Sequence, residues 1–219
     1  MRRPIVCGLL MGLALLALFA TLGARAGWVT MPFERPDGPW SWLSSRAAGV
    51  AAYVAITTEV VFGLWLSTGA ADRWIARANS AQIHRWLSVV ALGLVAGHAL
   101  VLLGDRYVRF DLLDVVVPFV APGRRVAVGL GVLAAWLALV VHASFGLRKR
   151  IGPKTWRLLH YLSFAIFVLA TLHGLVAGSD TRSPAMVALY GSAGLAVGLL
   201  TVRRVAEATV TRRAKRAAC

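Results

Sequence analysis

The stretch IHRWLSVVALGLVAGHALV, residues 83–101, decides how this chain is read. Apart from Arg85 and Ser88, every residue between its two histidines is apolar or glycine. At 1.5 Å per residue such a segment spans roughly 28 Å, about the thickness of a bilayer's hydrocarbon core. A second stretch, LLHYLSFAIFVLATLHGLV at 158–176, repeats the pattern. His84 and His98 are fourteen residues apart in the first, and His160 and His173 thirteen apart in the second.

Working outward, four more apolar segments appear, at about 5–24, 47–71, 126–147 and 184–202. Gly and Pro cluster between segments, as at Pro36, Gly38 and Pro39 or at Pro118, Pro122 and Gly123. The chain is 58% hydrophobic and 15% charged, against roughly 45–50% and 25% in soluble domains. The expected fold is therefore all-α and integral to the membrane, a bundle of six transmembrane helices. The expected division is a first helix at 1–27, a helical domain at 42–202 and a basic tail at 203–219. Arg2, Arg3 and the run Ala24-Arg25-Ala26 also fit a secretory signal, but about twenty apolar residues exceed the usual 7–15, which favours a retained helix.

The net charge of +15 does not point to nucleic acid, because the arginines lie between apolar segments, where they set topology. Counting Lys and Arg gives 16 on the side holding both termini and 8 on the other. The positive-inside rule then places both termini in the cytoplasm of a cell-membrane protein. The basic run RKRIGPKTWR, 148–157, reads as an anchor beside anionic lipid headgroups. Cys7 and Cys219 form no recognisable motif.

With this topology the third and fifth segments run parallel. His84 is then level with His160, and His98 with His173, the two levels roughly 20 Å apart. Imidazoles above and below a macrocycle are the axial ligands of many haems. The four histidines are accordingly the candidate iron ligands for two stacked b-type haems held between the third and fifth helices. Fourteen residues return to within about 40° of the same helix face, whereas thirteen leave about 140°. The fifth helix is therefore expected to be tightened or kinked, or its imidazoles to approach from different sides.

Arg85 and Arg157 flank the cytoplasmic pair, where guanidinium groups suit haem propionates. Trp86 and Trp156 fit an interfacial aromatic belt. His142 has no partner at its depth and reads as structural. Glu59, mid-way along the second segment, reads as either a proton carrier or a protonated carboxyl bonded to a neighbouring helix, the structural reading favoured because no second acidic residue lies within an apolar segment. A non-redox transporter or scaffold with structural histidines is the alternative function.

The fourteen-then-thirteen histidine spacing on the third and fifth of six helices resembles the ferric reductase-like transmembrane domain family. The stretch LRKRIGPKTWRLLHYLSFAIFVLATLHGLVAGSDT, 147–181, looks like actinobacterial members of it. The resemblance runs over about 42–202 and implies transmembrane electron transfer through b-type haem, His84 pairing with His160 and His98 with His173. Ferric reductases and NADPH oxidases continue into a flavin and nicotinamide domain. No G-x-G-x-x-G fingerprint after a strand occurs here, so no flavin or NAD(P)H domain is expected. The expected donor is a separate flavoprotein reductase or a quinol, passing electrons to an extracytoplasmic acceptor. The haem-binding subunit of bacterial methionine sulfoxide reductase is similar in lacking that domain, but that branch carries no histidine at the position of His84.

Overall fold

The computed structural model describes residues 40–69, 72, 75–104 and 110–217, and every regular element among them is helical. In chain order these are α1 (Trp40–Ser67), α2 (Arg77–Leu102), α3 (Leu112–Val116), α4 (Arg125–His160), α5 (Leu162–Ala177) and α6 (Pro184–Ala217). The first apolar segment, with its signal-peptide alternative, lies outside the described residues.

Four stretches are long and apolar enough to cross a membrane: Trp42–Ser67, Arg77–Leu102, Arg125–Ala177 and Pro184–Val210. Large apolar side chains such as Leu100, Leu139, Val168, Leu195 and Leu199 are exposed along them. A helix in water hides such a face, whereas hydrocarbon accepts it. Hydroxyls within these spans bond back to carbonyls of the preceding turn, Thr58 to Val54 at 2.8 Å and Thr171 to Phe167 at 2.8 Å.

The third stretch has 53 residues. As one straight helix it would run about 80 Å, more than twice the hydrocarbon core. It turns back instead. Gly152 adopts φ 78° and ψ 161°, a conformation that costs glycine little, and Pro153 follows with no N–H to continue the ladder. Beyond this break the Trp156 ring meets Phe145 edge-on with centroids 6.4 Å apart. Further on, His173 Nδ1 lies 2.6 Å from the Ala127 carbonyl oxygen. α5 thus runs antiparallel to the first part of α4. The basic run 148–157, expected as a loop, is helical on both sides of one broken residue, since Arg, Lys and Trp tolerate a helix and only Gly-Pro interrupts it.

α1 and α2 form a second antiparallel hairpin. One core cluster joins α1 to α5 and α6 through Tyr53, Val60, Leu64, Phe167, Ala193 and Val197. Another joins α1, α2 and α5 through Ala55, Ile56, Ala91 and Ile166. Tyr53 is shared between helices, its hydroxyl 3.1 Å from Thr171 Oγ1 and its ring 4.9 Å from that of Tyr190.

Two features were not expected. The short α3 carries a reciprocal capping box between Asp111 and Asp114, and Trp136 of α4 donates its indole N–H to the Val116 carbonyl at 2.8 Å. Also, α6 continues through the expected tail as far as Ala217, with Arg203 Nε donating to Glu207 at 2.9 Å.

Candidate functional site

The histidines meet in two pairs across the seam between the hairpins. The ring centroids of His84 and His160 are 6.0 Å apart, with planes at 79°. Those of His98 and His173 are 6.1 Å apart, with planes at 73°. α2 and α5 are therefore parallel, and each pairing is the one expected from sequence. Midway between the levels lie Ala91 and Ile166, both buried in the apolar cluster with Ala55 and Ile56.

The thirteen-residue spacing has a local cause. His160 closes α4, and the chain tightens at Tyr161 before α5 begins. The Tyr161 amide is shared between the carbonyls of Arg157 at 3.1 Å and Leu158 at 3.2 Å. Phe164 N–H then donates to Tyr161 O at 3.1 Å. Such i→i+3 bonds turn about 120° per residue rather than 100°, which recovers part of the lost phase.

At the His98–His173 pair both rings are anchored through Nδ1. His98 Nδ1 lies 2.7 Å from Ser45 O and 3.1 Å from Ser45 Oγ, and His173 Nδ1 lies 2.6 Å from Ala127 O. A carbonyl oxygen only accepts, so each Nδ1 carries the proton and each Nε2 keeps its lone pair. At the His84–His160 pair, His84 Nδ1 is buried without a hydrogen-bond partner, and His160 stacks on Trp156 at 5.1 Å and 19°.

Glycine makes room for three of these rings. A Cβ at Gly49 would sit 3.0 Å from the His98 ring, one at Gly63 3.1 Å from His84, and one at Gly131 2.8 Å from His173. Gly49 and Gly63 are fourteen residues apart on α1, matching the histidine spacing on α2. Ser144, thirteen residues beyond Gly131 as His173 is beyond His160, is buried.

Other residues named from sequence are placed as follows. Arg85 is exposed, with its guanidinium 5.2 Å above the Phe145 ring, and Arg157 is exposed three residues before His160. Neither touches a histidine pair. Trp156 joins the His84–His160 pair through its stack on His160, and the Arg148 guanidinium lies 5.2 Å from the Trp156 ring centroid. His142 bonds Ser88 instead of another histidine, Nδ1 to Oγ at 3.0 Å. Sequence reading missed Ser45, Gly49, Gly63 and Gly131, whose only signal was small size at spacings that echo the histidines. It also missed Arg46, which forms an ion pair with Asp180 and lies over Trp42 at 5.3 Å.

Among the described residues no three His, Cys, Asp or Glu side chains converge on one point. Protein groups alone thus offer two imidazoles per level, a donor set suited to a metal whose remaining positions are filled by a non-protein ligand. No curated protein and no solved structure matches this chain. The family described as "Ferric reductase like transmembrane component" matches residues 48–171, more than half of the chain. That match takes in His84, His98 and His160 with all of α2, so the chain belongs to the ferric reductase-like transmembrane component family.

Proposed function

We propose that this protein carries electrons across the cell membrane through two b-type haems, one held by His84 and His160 and the other by His98 and His173. The observation that carries the reading is the separation within the pairs. At about 2.0–2.1 Å per metal–imidazole bond, rings whose centroids lie 6.0 and 6.1 Å apart are close enough to share one metal ion, so His84 with His160 and His98 with His173 would each hold one haem iron.

The surrounding residues support it. Bound at each level, haem supplies a one-electron iron couple. The Nδ1 anchors at Ser45 and Ala127 hold Nε2 of His98 and His173 toward the seam, the arrangement by which outer-shell carbonyls orient metal-ligating imidazoles. Gly49, Gly63 and Gly131 let the rings lie close against neighbouring helices. Ala91 and Ile166, with their neighbours, keep water out between the levels. Arg85 and Arg157, at the inner end, are proposed to meet haem propionates.

In this reading the 53-residue stretch crosses twice, and the segment at 5–24 completes a six-helix bundle with both termini cytoplasmic. Electrons enter at the inner pair from a flavoprotein reductase or a quinol, and leave at the outer pair to an extracytoplasmic acceptor.

The test is a pyridine haemochrome assay on detergent-purified protein from a haem-replete host. Two haems per chain are expected, and His98→Ala or His173→Ala should remove one while leaving the other. Protein without a Soret band under these conditions refutes the proposal.

A further inference from the structure

Glu59 is the one acidic side chain in the middle of a described span, and the electron path makes no use of it. It is half-buried and has no hydrogen-bond or ion-pair partner among the described residues. Ionisable groups at membrane depth are costly, and they mark functional positions.

The register of α1 against α2 places it. Gly49 faces His98, Gly63 faces His84, and Ile56 shares a cluster with Ala91. In each of these pairs the two residue numbers add to 147. Glu59, one turn before Gly63 and on the same helix face, is therefore level with Ser88. Ser88 Oγ donates its proton to the Arg85 carbonyl at 3.1 Å and lies 3.0 Å from His142 Nδ1. His142 must then be the donor in the second bond, leaving Nε2 with its lone pair. Three helices thus bring Glu59, Ser88 and His142 to one level, a turn deeper than His84 and adjoining the apolar layer.

We propose that Glu59 is a redox-linked proton acceptor. Its carboxylate takes up one proton from water on the inner side when one electron from the external donor arrives at the inner histidine pair. Ser88 and His142, bonded to each other at that level, are the polar groups nearest to it in register. The only bond formed is O–H, and the proton is released when the electron moves on to the outer level. This rests on the electron-transfer reading above.

The coupling is electrostatic. A unit charge about 10 Å away at the effective dielectric of a protein changes a carboxyl's proton affinity by roughly tenfold. The other charged or titratable side chains described on the helices packed against α1 are Arg77, His84, Arg85 and His98 on α2, His173 on α5, and Tyr190, Arg203, Arg204 and Glu207 on α6. Arg203 is engaged by Glu207.

The test is spectroelectrochemical titration of the two-haem protein across pH, beside reduced-minus-oxidised infrared spectra. In the wild type the inner-haem midpoint should move by up to about 59 mV for each tenfold change in proton concentration, the one-electron, one-proton limit. The infrared spectrum should show a protonated-carboxyl C=O band on reduction. Glu59→Gln should flatten the slope and abolish the band, and Glu59→Asp should restore both in a protein that keeps the charge. An unchanged slope and spectrum in Glu59→Gln, with both haems bound, overturns this inference alone. Absence of any b-type spectrum in the wild type overturns the electron-transfer reading and this one with it.

Discussion

Replacing Gly131 by Ala tests the outer site with a single methyl group. The new Cβ would lie 2.8 Å from both Cε1 and Nδ1 of His173. Non-bonded carbons settle at about 3.5–4.0 Å, so the imidazole must retreat by roughly 0.7–1.2 Å. That exceeds the roughly 0.5 Å within which a functional side chain must be held, and it strains the Nδ1 bond to Ala127. Disturbing such an outer-shell bond typically lowers metal affinity by about 10–100-fold. On the proposed two-haem reading, haem content should fall toward one per chain, with the surviving spectrum that of the His84–His160 pair. Gly146→Ala on the same helix is the control, since a Cβ there meets nothing within 4 Å. It should keep both haems and gain roughly 0.5–1 kcal/mol of helix stability. Two haems at wild-type potentials in Gly131→Ala would refute the claim that His173 is held in place by that glycine.

The ion pair of Arg46 with Asp180 ties α1 to the turn after α5. A double-mutant cycle with Arg46→Ala and Asp180→Ala in thermal unfolding should return a coupling of about 0.5–1 kcal/mol, and strict additivity would deny the link. Trp136→Phe removes the N–H donated to Val116 and should lower stability by about 1 kcal/mol with haem content unchanged, as read by melting and pyridine haemochrome. Topology reporters placed after Cys219 and in the turn at 178–183 should report opposite sides of the membrane, the C-terminal one cytoplasmic. The reverse result would overturn the orientation taken from Lys and Arg counts.

Much of the site was legible because histidine in a membrane span is conspicuous and helix geometry converts spacing into depth. His84, His98, His160 and His173 could be paired by rise per residue and charge bias alone, and the structure brings the same partners together. What escaped was the material around them. Gly49, Gly63 and Gly131 look like any packing glycines until the opposing helix is in place, because their role lies in a contact distant in sequence. The Nδ1 anchors at Ser45 and Ala127 use main-chain carbonyls, which carry no side-chain signature. The continuity of α4 through 148–160 was hidden by Gly152-Pro153, which reads as loop punctuation although it breaks the helix at only one residue. The thirteen-residue phase problem was visible in sequence, and its relief at Tyr161 depends on backbone bonds that sequence does not spell out.

The constant sum of 147 between facing residues of α1 and α2 limits which insertions and deletions the hairpin tolerates. One residue added between Gly49 and Gly63 turns the rest of α1 by about 100° and advances it about 1.5 Å, so one glycine leaves its histidine. Four added residues nearly restore the face but displace it by about 6 Å, again emptying one contact. Length changes in these two helices should survive only as matched events on both.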